Sequence, residues 1–269
     1  MIKQGLTIAI LNLMPTKEAT ANQLTQLVTG DDDQVEVVLL YPESHYESKP
    51  LPEILAQHYF PFSLIKEREF DGVIITGAPV EQLNFDQVDY WPELCETLSV
   101  IREKAIPLLA ICWGAQAALN HYYQIHKVRL ASKVVGVFEH RLHVADHPVF
   151  GQLSAEFNAP HSRYTTVDEN QVLTHPDLVN VADSDEAGLY LVTNRNGRET
   201  FVFGHAEYER DTLNLEYRRD LANDLRAPFP QHYYPKDCPD QSPVKTWEAH
   251  GRSLFSQWMT ALSRAYTIQ

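Results

Sequence analysis

The first half of the chain alternates short, continuously apolar segments with segments whose apolar residues recur at helical spacing. The apolar segments span residues 6–13, 35–41, 71–76 and 106–111. A strand that is apolar along its whole length is typical of a parallel sheet covered on both faces. The segments with helical spacing or helix-forming composition span residues 17–29, 93–104 and 114–123. The alternation therefore predicts an α/β fold with a mostly parallel sheet and helices on both faces.

The second half has a different character. Residues 188–192 and 199–203 flank the dipeptide Asn196-Gly197, which is a strong signal for an antiparallel hairpin. Helices are predicted over residues 211–222 and 247–266. The 269 residues contain no internal repeat and no linker. We therefore expect a single domain, residues 1–269, in which antiparallel hairpins extend the parallel sheet.

Charge and composition argue against several classes of function. Acidic residues outnumber basic ones by 36 to 22, and the formal net charge is −14. Nucleic acids and anionic membranes are bound by clustered Lys and Arg, so neither is an expected partner. Residues 6–14 are interpreted as a strand rather than a signal peptide, and no apolar run reaches the roughly 18 residues of a membrane helix. The three cysteines are widely spaced, and we expect a reduced, cytoplasmic protein.

Cys112 is the most informative residue for chemistry. It lies where the apolar segment 106–111 ends and the small-residue helix 114–123 begins. This order is that of the nucleophile elbow, a sharp turn that exposes a reactive side chain at the carboxyl edge of a sheet. The N-terminus of the helix would favour the thiolate. The alternative is a buried Cys that packs as a small apolar side chain. Cys95 and Cys238 lack this context.

A cysteine nucleophile needs a base and a group that orients the base. His205 follows the apolar segment 201–204, and Glu207 lies two residues further on. Side chains two apart on an extended segment point to the same side, so Glu207 could hold the imidazole as its carboxylate partner. The alternative for His205 alone is a hydrogen-bonded loop histidine. Together, Cys112, His205 and Glu207 favour a Cys-His-Glu triad.

These residues stand in motifs that resemble a known fold and a known family. Cys112 in ICWGAQAAL, with His205 and Glu207 in FGHAEY, resembles the class I glutamine amidotransferase fold and its triad. Over nearly the whole chain, the sequence resembles the homoserine O-acyltransferase family of methionine biosynthesis. The motifs that carry this resemblance are LNLMPTKEATANQL (11–24), FDGVIITGAP (70–79), ICWGAQAAL (111–119), GVFEHRL (136–142), APHSRY (159–164), FGHAEY (203–208), YRRDL (217–221) and TWEAHGRSLFSQW (246–258).

The resemblance implies a role for each member of the triad. Cys112 matches the acyl-thioester nucleophile of the family, His205 its proton acceptor and Glu207 its triad acid. The backbone N–H of Trp113, next to the nucleophile, is an expected donor of the oxyanion hole. A second donor is expected from the turn at residues 77–80, where the proline cannot donate.

The resemblance also implies substrate-binding residues and a donor-selecting residue. Lys133, Ser162 and Arg219 match the substrate-binding positions of the family, and Arg219 would offer a planar fork to an amino-acid carboxylate. Glu81 stands where acetyl-CoA users of the family carry Glu and succinyl-CoA users carry a small residue. A carboxylate there would fill space and repel the free carboxylate of a succinyl group. A loop glutamate on the surface is the alternative.

The expected reaction is the transfer of acetyl from acetyl-CoA, a co-substrate, to the hydroxyl of L-homoserine through an acyl-cysteine intermediate. The resemblance implies no metal and no bound cofactor, and we expect a homodimer. Three departures bear on the acceptor and on the dimer contacts: five residues precede Leu6 where family members carry a few tens, Ala206 replaces a proline, and Thr165-Thr166 stand where an acidic residue is often found.

Three alternatives stay open from the sequence. Serine differs from homoserine by one methylene, which is worth only about 1–3 kcal/mol in a pocket, so a serine O-acetyltransferase of cysteine biosynthesis is possible. A glutamine amidotransferase-like hydrolase would share the elbow and the triad but needs an ammonia-accepting synthetase. A non-catalytic binding protein on the same fold is the third alternative.

Overall fold

The apolar segments of the first half lie side by side in one ten-stranded sheet. The structure, a computed structural model, describes residues 5–30, 34–224 and 226–265. The strands are β1 (Thr7–Leu11), β2 (Glu36–Tyr41), β3 (Phe60–Pro61), β4 (Gly72–Ile75), β5 (Leu108–Ile111), β6 (Lys127–Leu142), β7 (Glu156–Val167), β8 (Leu178–Ser184), β9 (Gly188–Asn194) and β10 (Glu199–Val202). Their order in the sheet is β3-β2-β1-β4-β5-β10-β9-β8-β6-β7.

Six neighbouring strands, from β3 to β10, are parallel, and the other four continue the sheet in antiparallel fashion. The predicted hairpin is confirmed, because β9 and β10 pair antiparallel across the turn that contains Gly197, whose φ is +72°. The prediction of a mostly parallel sheet with antiparallel hairpins is therefore confirmed.

Helices lie on both faces of the sheet. They are α1 (Lys17–Thr29), α2 (Glu53–His58), α3 (Leu64–Glu67), α4 (Trp91–Glu103), α5 (Trp113–Tyr123), α6 (Glu169–Thr174), α7 (Thr212–Asn223) and α8 (Glu248–Ala265). Alternate residues of β1 enter two different apolar clusters: Leu11 packs with α4 and α5, and Ile10 packs with α1 and α8. This two-sided burial explains why β1 is apolar along its length.

The helix predicted over residues 17–29 has those bounds, and the others agree within one or two residues at each end. The last residue of the helix predicted over 247–266 lies outside the described residues. The sequence did not predict the long ribbon of β6 and β7. The first eight residues of β6, 127–134, are exposed or half-buried. This part of the strand therefore lacks the continuous apolar pattern of the inner strands. Among the described residues, no helix is both long enough and apolar enough to cross a membrane.

Gly114 allows α5 to approach the end of β4 closely. A Cβ at this position would lie 2.6 Å from the carbonyl oxygen of Thr76 and 3.0 Å from the side chain of Ile75. We therefore expect Gly114→Ala to lower Tm by about 5 °C, although Ala is the better helix former, because the overpacking outweighs the gain in helix propensity. Thermal unfolding measures this effect, and an unchanged or higher Tm would contradict the close packing.

Candidate active site

The triad residues meet at the carboxyl edge of the parallel strands. In the sheet, β2 and β3 lie on one side of β1, and β4 and β5 lie on the other. The strand order therefore reverses at β1, and a crevice forms there at the carboxyl ends of the strands. A cavity of about 550 Å³ lies there. Residues that follow β1, β4, β5 and β10 line it, together with side chains from β6, β7 and α7. Two further clefts, of about 720 and 960 Å³, adjoin it at Met14 and Pro15.

Cys112 occupies the predicted sharp turn between β5 and α5. Its backbone has φ 51° and ψ −114°, a conformation that residues other than glycine rarely adopt. The N–H of Cys112 donates to the carbonyl of Val202 at 2.7 Å, which ties the turn to the end of β10. The side chain lines the cavity although the residue is only 6% exposed. The nucleophile elbow that the sequence predicts is therefore present in the structure.

His205 and Glu207 form the predicted pair, but a turn rather than an extended segment brings them together. The imidazole Nδ1 lies 2.7 Å from Oε1 of Glu207. The N–H of Tyr208 donates to the carbonyl of His205 at 3.1 Å, which closes the turn. The expectation of an extended segment was wrong because the sheet ends at Val202 and the following residues must pass under α8. There, a Cβ at Gly251 would lie 2.5 Å from the carbonyl oxygen of Ala206.

The His205 ring is fixed from several sides. The backbone N–H of His205 donates to the carbonyl of Pro160 at 2.8 Å. The ring of Tyr208 stacks on the imidazole with centroids 4.2 Å apart, and the Tyr208 hydroxyl donates to Glu216 at 2.7 Å. Because Glu207 occupies Nδ1, the other ring nitrogen is the one available to the cysteine side of the site. The arrangement presents a single edge of the base to the nucleophile.

The charges around His205 favour its protonated form. Burial alone would lower the pKa of the imidazole, but the negative charges of Glu207 and of Cys112, with hydrogen bonds to both side chains, raise that pKa well above its ordinary value. A protonated imidazole beside a cysteine is the arrangement that stabilises a thiolate. The site is therefore suited to nucleophilic attack by sulfur.

The expected oxyanion donors lie beside the nucleophile. Trp113 is the first residue of α5, and a helix offers no internal acceptor to its first N–H groups. Gly77 follows β4 on the opposite wall, where a Cβ would lie 3.4 Å from the Cβ of Cys112 and 3.7 Å from Cε1 of His205. Glycine thus leaves room at the point where the carbonyl of a substrate must approach Cys112. An oxyanion hole formed by backbone N–H groups of these two segments stays a prediction.

The three residues expected to bind substrate all line the cavity, but the two cations are already paired. Nζ of Lys133 lies 2.7 Å from one carboxylate oxygen of Asp220, and the guanidinium of Arg219 lies 2.9 Å from the other. The Lys133 side chain is 6% exposed and that of Arg219 is 59% exposed. Ser162 is half-buried in β7. Lys133 therefore does not supply an unpaired charge, and the guanidinium of Arg219 is partly engaged by Asp220. The sequence reasoning did not identify Asp220 as a residue of this site.

Glu81 lies at the wall of the cavity and not on the outer surface. It follows β4 in a turn, and its Oε2 accepts the N–H of Tyr164 at 2.9 Å and faces the hydroxyl of Thr165 at 3.3 Å. Lys127 donates to the carbonyls of Glu81 and Leu83, which holds the turn against the start of β6. Glu81 is half-buried and its carboxylate is held by β7, so it is not the free surface glutamate of the alternative interpretation.

A buried arginine is a further charged residue that sequence reasoning did not identify. Arg163 is almost inaccessible and donates to the carbonyls of Thr165 and Ala187 and to His161. Burial lowers the pKa of this guanidinium, and the charges of Cys112, Glu169 and Glu81 oppose that shift. Its only sequence signal was its place in the APHSRY motif. Its positive charge interacts with Cys112 and Glu81, which both line the cavity.

Comparison of the whole chain with known proteins finds similarity to a group of enzymes. Residues 2–267 match the family model described as homoserine O-succinyltransferase. The chain is 45% identical over 254 residues to a homoserine O-acetyltransferase of Thermotoga petrophila and 44% identical to one of Brevibacillus brevis. It is 42% identical to one of Desulfitobacterium hafniense. Each alignment covers 94% of this chain and 83% of the relative.

Solved structures agree on the fold. A glutamine amidotransferase from Thermotoga maritima superposes with a TM-score of 0.65 at 14% identity, covering 97% of this chain and 98% of the other. A glutamine amidotransferase from Methylobacillus flagellatus gives a TM-score of 0.59 at 14% identity, with 96% and 94% coverage. The predicted class I glutamine amidotransferase-like fold is therefore confirmed.

Proposed function

Because this chain belongs to the homoserine O-succinyltransferase family and is an acyltransferase, we propose that it transfers acetyl from acetyl-CoA to the hydroxyl of L-homoserine. The observation that carries the proposal is the cavity in which Cys112, paired with His205 and Glu207, faces the same space as Glu81. The triad supports acyl transfer through a thioester, and Glu81 supports the choice of acetyl as the acyl group.

The first half of the proposed reaction loads the enzyme. The Cys112 thiolate attacks the thioester carbonyl of acetyl-CoA, and the oxyanion that forms accepts hydrogen bonds from the N–H of Trp113 and from the turn that contains Gly77. The bond between the carbonyl carbon and the sulfur of CoA then breaks. The protonated His205 gives its proton to the departing CoA thiolate. The products are free CoA and acetyl-Cys112.

The second half passes the acetyl group to the acceptor. The hydroxyl of homoserine gives its proton to His205 as its oxygen attacks the acetyl-Cys112 carbonyl. Collapse of the tetrahedral intermediate expels the Cys112 thiolate, which the protonated His205 stabilises. Glu207 keeps the imidazole oriented throughout. The two clefts that adjoin the cavity offer a route for the bulky CoA to leave before the acceptor enters, as a ping-pong sequence requires.

The donor is the point on which the names of the similar proteins differ, since the family model carries the succinyl name and the relatives carry the acetyl name. Glu81 favours acetyl. Its carboxylate sits at the wall of the cavity that holds Cys112, where a succinyl-Cys112 would have to place a second carboxylate. Like charges in a partly desolvated site repel strongly, and a methyl group has no such cost.

The proposed acceptor follows from the cations of the cavity. Arg219 and Lys133 flank Asp220, and together the three charges sum to one positive charge that an α-carboxylate can use. Asp220 in turn offers a carboxylate to an α-ammonium group. This combination suits an amino acid, with Ser162 as a hydroxyl contact. Homoserine is the proposed acceptor because the relatives are named for it, and serine is the alternative that the experiment must test.

The decisive experiment traps the intermediate. After rapid mixing with acetyl-CoA and an acid quench, we expect peptide mass spectrometry to find one acetyl group on Cys112, and added L-homoserine should remove it and yield O-acetyl-L-homoserine. If L-serine removes the acetyl group from Cys112 faster than L-homoserine does, serine is the acceptor instead of homoserine. No acetyl on Cys112 under these conditions, with Cys95 and Cys238 as internal controls, would contradict the mechanism.

Three expectations accompany this proposal. We expect the protein to act in the cytoplasm, to form a homodimer and to fold as a single acyltransferase domain over residues 1–269. Each stays a prediction. The homodimer is the simplest to test, by light scattering of the purified protein.

A further inference from the structure

A buried threonine connects Glu81 with the helix that carries the nucleophile. Thr165 lies in β7 and is 3% exposed. Its hydroxyl oxygen is 3.3 Å from Oε2 of Glu81 and 2.9 Å from Oε1 of Gln116. Gln116 is fully buried, and its Nε2 donates to the carbonyl of Thr165 at 3.1 Å. These contacts hold the Glu81 carboxylate and α5 against the same residue of β7.

Gln116 is one helical turn after the nucleophile. Its N–H donates to the carbonyl of Cys112 at 3.1 Å, which is the first hydrogen bond of α5. Because Nε2 of Gln116 is committed to a carbonyl, Oε1 must face the threonine hydroxyl and act as an acceptor. The Thr165 hydroxyl has one proton and therefore two competing acceptors, the Gln116 amide oxygen and the Glu81 carboxylate.

This geometry can serve both protonation states of Glu81. When the carboxyl is ionised, the Thr165 hydroxyl can donate to it. When the carboxyl is protonated, it can donate to Oγ1 of Thr165, whose own proton then points to Gln116. The other charged groups that act on Glu81 are Lys127 and Lys133 of β6 and Arg163 of β7.

We propose that Thr165 is a positioning residue for the choice of acyl donor, which fixes the Glu81 carboxylate at the wall of the acyl pocket and ties it through Gln116 to the helix of Cys112. This inference rests on the proposed function, in which Glu81 discriminates against succinyl-CoA. Without the hydroxyl, the carboxylate keeps only the backbone N–H groups of Tyr164 and Thr165 as hydrogen-bond donors from β7. Its charge is then less well stabilised and its position less defined.

The pH dependence of donor choice follows from the same contacts. Burial raises the pKa of Glu81, while the hydrogen bonds from Tyr164 and Thr165 and the charge of Lys133 act against that shift. A carboxyl is charged above its pKa, so lowering the pH removes the repulsion and raises the activity with succinyl-CoA relative to acetyl-CoA. Loss of the Thr165 hydroxyl costs the charged form more than the protonated form, because a hydrogen bond to a charged group is the stronger one, and this moves the transition to higher pH.

The test measures kcat/KM with succinyl-CoA and with acetyl-CoA across pH 5.5 to 8 for Thr165→Val, which keeps the shape and removes the hydroxyl. We expect the ratio of succinyl-CoA to acetyl-CoA activity to rise about 5-fold at neutral pH, as for the loss of roughly one hydrogen bond. The transition should also move to higher pH. Thr165→Ser keeps a hydroxyl and should restore the wild-type ratio and profile.

Thr166→Val is the matched control. Thr166 is the next residue of the same strand. Its hydroxyl is buried and has no hydrogen-bond partner among the described residues. Its removal should leave the donor ratio and its pH profile unchanged. If Thr165→Val does not fold, Thr165→Ala provides the same comparison, because it also lacks the hydroxyl.

Glu81→Gly separates the possible failures. If that substitution raises the donor ratio while Thr165→Val and Thr165→Ala leave ratio and profile at the wild-type values, the role of Thr165 is overturned and the proposed function stands. If Glu81→Gly leaves the ratio unchanged, the role of Glu81 in donor choice fails and the inference fails with it. The acetyl-Cys112 experiment would still decide the reaction independently.

Discussion

Glu207→Gln is expected to lower kcat by about 10⁴-fold, the loss seen when a triad carboxylate becomes an amide. The negative charge that raises the pKa of His205 disappears, and an amide N–H can donate to Nδ1 and impose the wrong tautomer. The protonated imidazole that supports the Cys112 thiolate is lost at the same time. Steady-state kinetics with acetyl-CoA measures the effect on kcat, and the rate of Cys112 alkylation by iodoacetamide at neutral pH reports the thiolate independently.

Glu209→Gln is the control for this prediction. Glu209 lies two residues further on, is exposed and pairs with Lys245 at 3.1 Å on the surface. Exposed pairs of this kind contribute only about 0–1 kcal/mol, so both kcat and Tm should stay near the wild-type values. A Glu207→Gln enzyme with wild-type kcat, or with an unchanged alkylation rate, would remove Glu207 from the triad.

The parts of the site that depend on local sequence could be predicted. Cys112 was identifiable because a fully apolar strand runs directly into it and a helix of small residues begins directly after it. A chain that passes from strand to helix at one residue must turn sharply there. The pairing of His205 with Glu207 was identifiable because the two residues are close in sequence, although the reason given for it was wrong. A turn and an extended segment both bring residues two apart into contact, so the correct pair did not require the correct backbone.

The parts that depend on contacts across the fold could not be predicted. The pairing of Asp220 with Lys133 joins α7 to a bulge in β6, where the register with β7 shifts between Arg129 and Val134. Nothing in a spacing of 87 residues indicates such a contact. The same holds for Glu81, whose burial depends on the ribbon of β6 and β7.

Histidines illustrate the limit of residue type as a signal. The chain has 12 histidines, and the sequence indicated a catalytic role only for His205. Three others, His140, His161 and His250, are buried beside Tyr190, where Nε2 of His140 lies 2.9 Å from Nε2 of His161. Burial lowers the pKa of His140 to about 4 and that of His250 to about 3. These rings pack as neutral aromatic side chains, a role that no pattern in the sequence distinguishes from catalysis.

The parallel and antiparallel parts of the sheet contribute different groups to the proposed reaction. Strands β4, β5 and β10 are parallel, and the residues that follow them provide the proposed nucleophile, base and oxyanion donors. The antiparallel strands β6 and β7, with α7, provide the contacts that hold Glu81 and the groups proposed to bind the amino acid. A change of specificity can therefore arise in the ribbon without moving the triad.

Glu81→Gly is expected to raise the ratio of kcat/KM with succinyl-CoA to that with acetyl-CoA by about 10²-fold. Two charges about 4 Å apart near a protein surface repel by about 4 kcal/mol, and partial exposure reduces this value. The substitution removes both the charge and the volume, and some activity with acetyl-CoA should be lost. Because Glu81 accepts hydrogen bonds from β7, a small decrease in Tm is also expected, more than a surface glutamate would cause.

Glu81→Gln distinguishes charge from volume in this prediction. The amide fills the same space and can still accept the N–H of Tyr164 through its oxygen, but it carries no charge. If repulsion dominates, the glutamine variant should recover most of the gain with succinyl-CoA. If the space is what excludes the longer acyl group, only the glycine variant should gain. A wild-type enzyme that already prefers succinyl-CoA would contradict both versions, because the carboxylate would then face the acyl pocket without restricting it.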